Sequence, residues 1–115
     1  MKRNLKIAAL AAIAAANPEG FTVDAKTLQP VTSGYAVAVK ATQNSFNAEG
    51  LALVVDYAAT DSEVTAFGGW LDSETGLFYY DAVIIVETLE DARQIAMRED
   101  QLAFYCLHEM KEYRI

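Results

Sequence analysis

The sequence predicts an α+β fold: a ferredoxin-like β-α-β-β-α-β sheet with two helices on one face, preceded by an N-terminal alanine-rich helix. Three observations carry it. From Tyr35 onward, strand and helix patterns follow one another in the split βαβ order. The first and third of those strands, which that topology makes central, are the most apolar: "YAVAV" (35–39) and "LFYYDAVIIVE" (77–87). Ahead of them, "MKRNLKIAALAAIAAANPEG" (1–20) holds an alanine-rich run stopped at Asn17-Pro18, since a residue before proline is pushed out of the α region.

The parts divide as 1–17, an N-terminal helix; 18–34, extended or loop-like; and 35–115, the β-α-β-β-α-β core, all in a single domain. "GFTVD" (20–24) reads as a short extended piece, and "KTLQPVTSG" (26–34) as a loop broken by Pro30 and Gly34. "YAVAV" alternates Tyr35, Val37 and Val39 against small alanines, a strand pattern. Asn44 or Ser45 can cap the helix that follows, whose apolar stripe is Leu51, Val54, Val55 and Ala58. Gly50 weakens that helix, so close packing is the expected reason for it. "VTAFGGWLD" (64–72) is a strand with an expected bulge at Gly68-Gly69, and "DSETG" (72–76) a turn with Gly76 at positive φ. Thr88 caps the second helix with Asp91 three residues on, and Leu89, Ala92, Ile95 and Ala96 form its buried stripe. "LAFYCLH" (102–108) is the last full strand, with "YRI" (113–115) a short extension.

The 77–87 strand carries large apolar groups on both faces: Leu77, Tyr79, Val83 and Ile85 on one, Phe78, Tyr80, Ile84 and Val86 on the other. Two helices cover only one face, so a further layer is expected over the second. The N-terminal helix, with Ile7, Leu10, Ile13 and Ala14 on one arc interrupted by Lys6, is a candidate for that layer; a second copy of the chain is the other. The same stretch also reads as a secretory signal, with two early positive charges, an apolar run and Ala14-Ala15-Ala16 before Asn17. Lys6 and the weakly apolar alanines favour a retained helix in a cytoplasmic protein; the alternative is export with residues 1–16 cleaved. No apolar run reaches the ~18 residues of a membrane span, so no membrane partner is expected.

The net charge of −7 is unevenly spread. Residues 1–40 carry five basic and two acidic groups, whereas 41–92 hold ten acids and no Lys or Arg. Phosphate backbones would be repelled by such a segment, so direct nucleic-acid binding is not expected. A dispersed solvating surface is the plainer reading of these acids; a face that docks a basic partner is the sharper one.

Recognised catalytic signatures are missing: there is no G-x-G-x-x-G, P-loop, G-x-S-x-G or H-E-x-x-H. Cys106, the single cysteine, excludes an intramolecular disulfide and multi-cysteine zinc patterns. His108, the single histidine, would share a strand face with it, roughly 7 Å away and out of direct hydrogen-bond reach. A buried structural cysteine and an edge histidine are therefore expected, with no catalytic residues, no metal and no cofactor. The candidate interaction surface is Trp70, Tyr79, Tyr80, Asp81, Asp72 and Glu74. Trp70, Tyr79 and Tyr80 flank the hairpin turn holding Asp72 and Glu74, and aromatics there serve either cross-strand packing or a binding face. Asp81 interrupts the strongest strand and must be paired, or lie at the rim of the buried area.

The segments "NPEGFTVD", "SGYAVAV", "TQNSF", "GGWLDSETGLFYYD" and "LEDARQIAMREDQLAFY" resemble a family of small uncharacterised proteins carried by gut Bacteroidales-type bacteria, their phages and their mobile elements. The resemblance favours a cytoplasmic setting, and no catalytic residues carry over from it. Together these readings lead to a non-enzymatic interaction or regulatory protein with an acidic surface, self-associating and binding an unknown protein partner. The alternative is a regulatory domain that senses a small molecule at the sheet or at a dimer seam.

Overall fold

The computed structural model describes residues 1–115. Its order is α1 (Arg3–Ala16), β1 (Phe21–Asp24), β2 (Tyr35–Ala38), β3 (Ser45–Phe46), α2 (Asn47–Ala58), β4 (Ala66–Leu71), β5 (Phe78–Val86), α3 (Leu89–Arg98), β6 (Ala103–Cys106) and β7 (Lys111–Arg114). The chain is an α+β structure with one antiparallel sheet ordered β1-β4-β5-β2-β6-β7, and β3 pairs with β5 off that path. The two most apolar strands, β5 and β2, are adjacent in the middle of that order.

Alternation along β5 sorts its side chains between two very different faces. Tyr80, Ala82 and Ile84 enter the main core with Leu51, Val54 and Val55 of α2. On the same face Val37, which pairs with Ile84, packs with Ala92 and Ala96 of α3 and with Phe104. Leu10 and Ala14 of α1 belong to the main core too, beside Phe67. All three helices therefore lie on one side of the sheet. The expectation that α1 covers the opposite face is corrected: α1 docks alongside α2, and the far face receives no helix, only the 25–34 connection that passes across part of it.

The physical reason is visible in α1. Leu10 is fully buried, and Lys6, which interrupts the apolar arc, lays its ammonium 5.7 Å from the centre of the Phe67 ring. Arg3 grips the Asp56 carboxylate of α2 through two bonds of 2.6 and 3.1 Å. The helix ends as its sequence demands: Asn17 donates from its backbone N–H to Ala14 O and from its side chain to Ile13 O, closing the last turn before Pro18.

Several local expectations change. The Gly68-Gly69 bulge does not form, because β4 and β5 pair one-for-one from Ala66↔Val83 to Leu71↔Phe78. Gly69 is needed for space instead, since a Cβ there would meet Phe21 Cε1 at 2.7 Å and Tyr79 O at 2.8 Å. Neither Asn44 nor Ser45 caps α2: Ser45 is drawn into the sheet opposite Tyr80, and its hydroxyl donates to Thr42 O. Close packing does account for Gly50, where a Cβ would lie 2.3 Å from the Ser45 carbonyl carbon. Thr88 caps α3 as read, accepting from Asp91 N at 3.1 Å. Leu89 leaves the expected buried stripe and is exposed. The last strand stops at Cys106 rather than His108, and a turn then returns the chain as β7 along β6.

Candidate binding site

The uncovered sheet face is a shallow hollow rather than a flat surface. Its floor is built from the small residues that alternate with the core: Ala36 and Ala38 of β2, and Gly68 of β4, with Val83 and Asp81 of β5 among them. Glu19 to Thr22 form one rim and Tyr105, His108 and Glu112 the other, enclosing about 840 Å³. Because β1 and β2 are separated in the sheet by β4 and β5, the 25–34 connection must travel past both strands. That path brings Val31 and Thr32 to the hollow, while Leu28 of the same connection plugs into the core beneath. Asp24 braces the start of this connection by accepting from the backbone N–H groups of Lys26 and Thr27, which holds its carboxyl below the usual range.

Asp81 is the one carboxylate set into the floor. It faces Gly68 on β4, accepts no protein hydrogen bond and joins no ion pair among those the structure contains. Burial with nothing to compensate it raises the Asp81 carboxyl to about 6. Next to it along the same face, Trp70 stacks on Tyr79 with ring centres 4.6 Å apart and planes 10° from parallel. Phe46 meets the other side of the row edge-on to Tyr79, also at 4.6 Å. Trp70 remains 44% exposed and lines the hollow.

Of the six residues expected to form an interaction surface, Trp70, Tyr79 and Asp81 do share the uncovered face. Tyr80 does not: by strand alternation it is buried among the helices. Asp72 and Glu74 sit away from the hollow in the hairpin turn, where Asp72 accepts from Glu74 N and its carbonyl from Gly76 N. Sequence reasoning missed Phe46, Tyr105, Glu19 and Glu112, which come from distant strands and rims. The small floor residues left a clear signal, the alanines alternating with Tyr35, Val37 and Val39.

No family model, curated protein or solved structure significantly matches this chain. The reading of the site therefore rests on its geometry.

A second cluster corrects the separation expected for Cys106 and His108. Because the strand ends at Cys106, His108 lies in the following turn and folds back, placing Nε2 3.4 Å from the Cys106 sulfur. Gly34 N–H donates to His108 Nδ1 at 3.3 Å, and the Cys106 sulfur lies nearly equidistant from the two ring nitrogens, 3.6 Å from Nδ1 and 3.4 Å from Nε2. Glu109 completes a trio whose possible ligand atoms all lie within 4.8 Å of one another, and it is the one such group able to hold a metal ion. Each of its members already has a protein partner. Tyr113 donates to Glu109 at 2.6 Å, holding the Glu109 carboxyl below its usual range and pushing the Tyr113 phenol up to about 12. Cys106 is fully buried, so its sulfur is closed to any substrate.

Proposed function

We propose that this chain is a non-enzymatic binding protein with a regulatory role, and that its working surface is the uncovered sheet face. The observation that carries the reading is one-sidedness: three helices lie on one face of the sheet, and the other holds a hollow of about 840 Å³. That volume falls in the range of small-molecule sites, as does its make-up of apolar and aromatic walls around few polar groups. Two observations support a binding role over a catalytic one. Cys106 is buried, and Asp81 has no hydrogen-bonded base or acid beside it to share a proton.

The shape also favours a small molecule over a second copy of the chain as the occupant. A hollow opposed to its own copy leaves a void, and apposition would bring acidic rims together. The ferredoxin-like reading has support of its own. Within the sheet β4-β5-β2-β6 is the order that a split βαβ core adopts, with β1 and β7 added at its two edges.

The test is a thermal-shift screen of metabolites against the natural chain and against Ala36→Trp, which fills the hollow from its floor. Ligands of this face should raise the melting temperature of the first and not of the second. Hits that stabilise both proteins equally, or no hits at all, would sink the reading.

A further inference from the structure

Within the binding-protein reading, we infer that the hollow takes a small organic cation, an alkylammonium on an apolar body, with Asp81 as its anchor and the Trp70 indole as its wall. The charge of the lining points this way. Three carboxylates, Glu19, Asp81 and Glu112, border the hollow, and no Lys or Arg does. An anion entering it would meet Asp81 on the floor and Glu19 at one rim, with Glu112 at the other already paired to Arg114, and no Lys or Arg in the lining to receive it.

Asp81 then separates a cation from a neutral ligand. Its neighbours on the floor are Gly68, Ala38 and Val83, which offer no side-chain donor. A neutral apolar molecule laid over them would strip the remaining water from the carboxylate and return nothing for it. An ammonium strips the same water and supplies both the opposite charge and N–H donors. The aromatic wall adds to the match, because Trp70 keeps one side stacked on Tyr79, stays 44% exposed and lines the hollow, and indole faces attract cations.

The geometry also argues for a molecule rather than an ion or a protein. Asp81 takes no part in the one group of converging metal-ligand atoms, so a bare divalent ion would find a single carboxylate there. A protein partner needs on the order of 800 Å² of its surface buried, whereas Asp81 lies in a recess of ligand size.

The proposal is tested by titration calorimetry on the full chain with three probes of one shape: 2-phenylethylammonium, 2-phenylethanol and 3-phenylpropionate. The ammonium should bind saturably and at least about tenfold more tightly than the alcohol, with no binding by the carboxylate. Asp81→Asn should abolish the advantage of the ammonium while circular dichroism shows the fold intact. Equal binding of ammonium and alcohol overturns the proposal, as does an ammonium affinity unchanged in Asp81→Asn, or no ammonium binding at millimolar concentration. A lysine-bearing tetrapeptide is the fourth arm; if it binds and phenylethylammonium does not, the small-cation proposal also falls. Should neutral or anionic ligands alone bind, and be lost in Ala36→Trp, the cation proposal fails while the binding-protein reading stands.

Discussion

Asp81 faces Gly68 directly across the β4–β5 ladder, so a carboxylate stands in the sheet with no side chain opposite it. Desolvation raises the group to about 6, above the ~3.9 of an unfolded chain. The native state therefore holds the Asp81 proton more tightly than the unfolded state does. Its ionisation opposes folding: relative to the protonated form, stability is lost as pH rises from about 4 through about 6. Asp81→Asn should match the natural chain in urea unfolding near pH 4, and exceed it by about 2–3 kcal/mol near pH 8. Glu19, Glu112 and His108, which also line the hollow, are present in both proteins, so the difference between them isolates Asp81. A difference that does not grow with pH would show that the carboxylate is hydrated in solution.

Gly50 should be the least replaceable glycine. An added Cβ would lie 2.3 Å from the Ser45 carbonyl carbon and 2.9 Å from its oxygen, and backbone cannot swing aside as a side chain can. Gly50→Ala is expected to cost about 3 kcal/mol or more despite alanine's better helix propensity. Gly76→Ala is the control. Gly76 sits at φ +75 with open space around it, so the substitution costs only the left-handed strain, about 1 kcal/mol. Denaturant midpoints of the two variants decide the point, and equal losses would contradict the close approach of α2 to β3.

Gly50 and α1 show what could and could not be read from sequence. Local patterns were legible: the Asn17-Pro18 stop, the Thr88 cap and the turn at Gly76 all depend on neighbours in sequence. The surplus of apolar groups on β5 was legible too, because alternation is a local property. Which side α1 would choose was not. That is decided by where Leu10 finds burial, in the core it shares with Val54, Val55 and Phe67, with Arg3 on Asp56 and Lys6 over the Phe67 ring adding to it; all of these join residues more than forty positions apart. The site divides the same way. Trp70 and Asp81 stood out as residue types in odd places, while the rims at Glu19 and Glu112 exist only once the strands are ordered. His108 was misjudged because the strand's end, set by the β6–β7 turn, leaves no strong mark in "LAFYCLHEMK".

Since α1 is a core element in this arrangement, its two anchors should differ sharply in weight. Leu10 is fully buried in the shared core, and Leu10→Ala is expected to cost about 3 kcal/mol through lost burial and a cavity. Arg3 and Asp56 form their ion pair with both side chains more than half exposed. Water and salt screen such a pair, so Arg3→Ala should cost less than about 1 kcal/mol. Removing residues 1–16 altogether would bare Phe67 and the α2 flank and should abolish cooperative unfolding. If Leu10→Ala proves no more harmful than Arg3→Ala in denaturant titrations, α1 is not docked on α2 in solution.

Cys106 tests whether the β6–β7 turn is closed. Its sulfur has no exposed surface, and Tyr35, His108 and Glu109 crowd around it. A bulky disulfide reagent cannot reach a sulfur so enclosed, whatever its protonation, so labelling must wait for an opening motion. The native chain should react at least about a hundredfold more slowly than the chain in denaturant, given ordinary domain stabilities. His108→Ala opens one side of this enclosure without unfolding the core, because His108 is an exposed turn residue. That variant should label faster than the natural chain with little change in its denaturant midpoint, which separates local access from global unfolding. Rapid labelling of the natural chain would mean that the turn does not hold His108 over the sulfur, and that the 3.4 Å contact is not kept in solution.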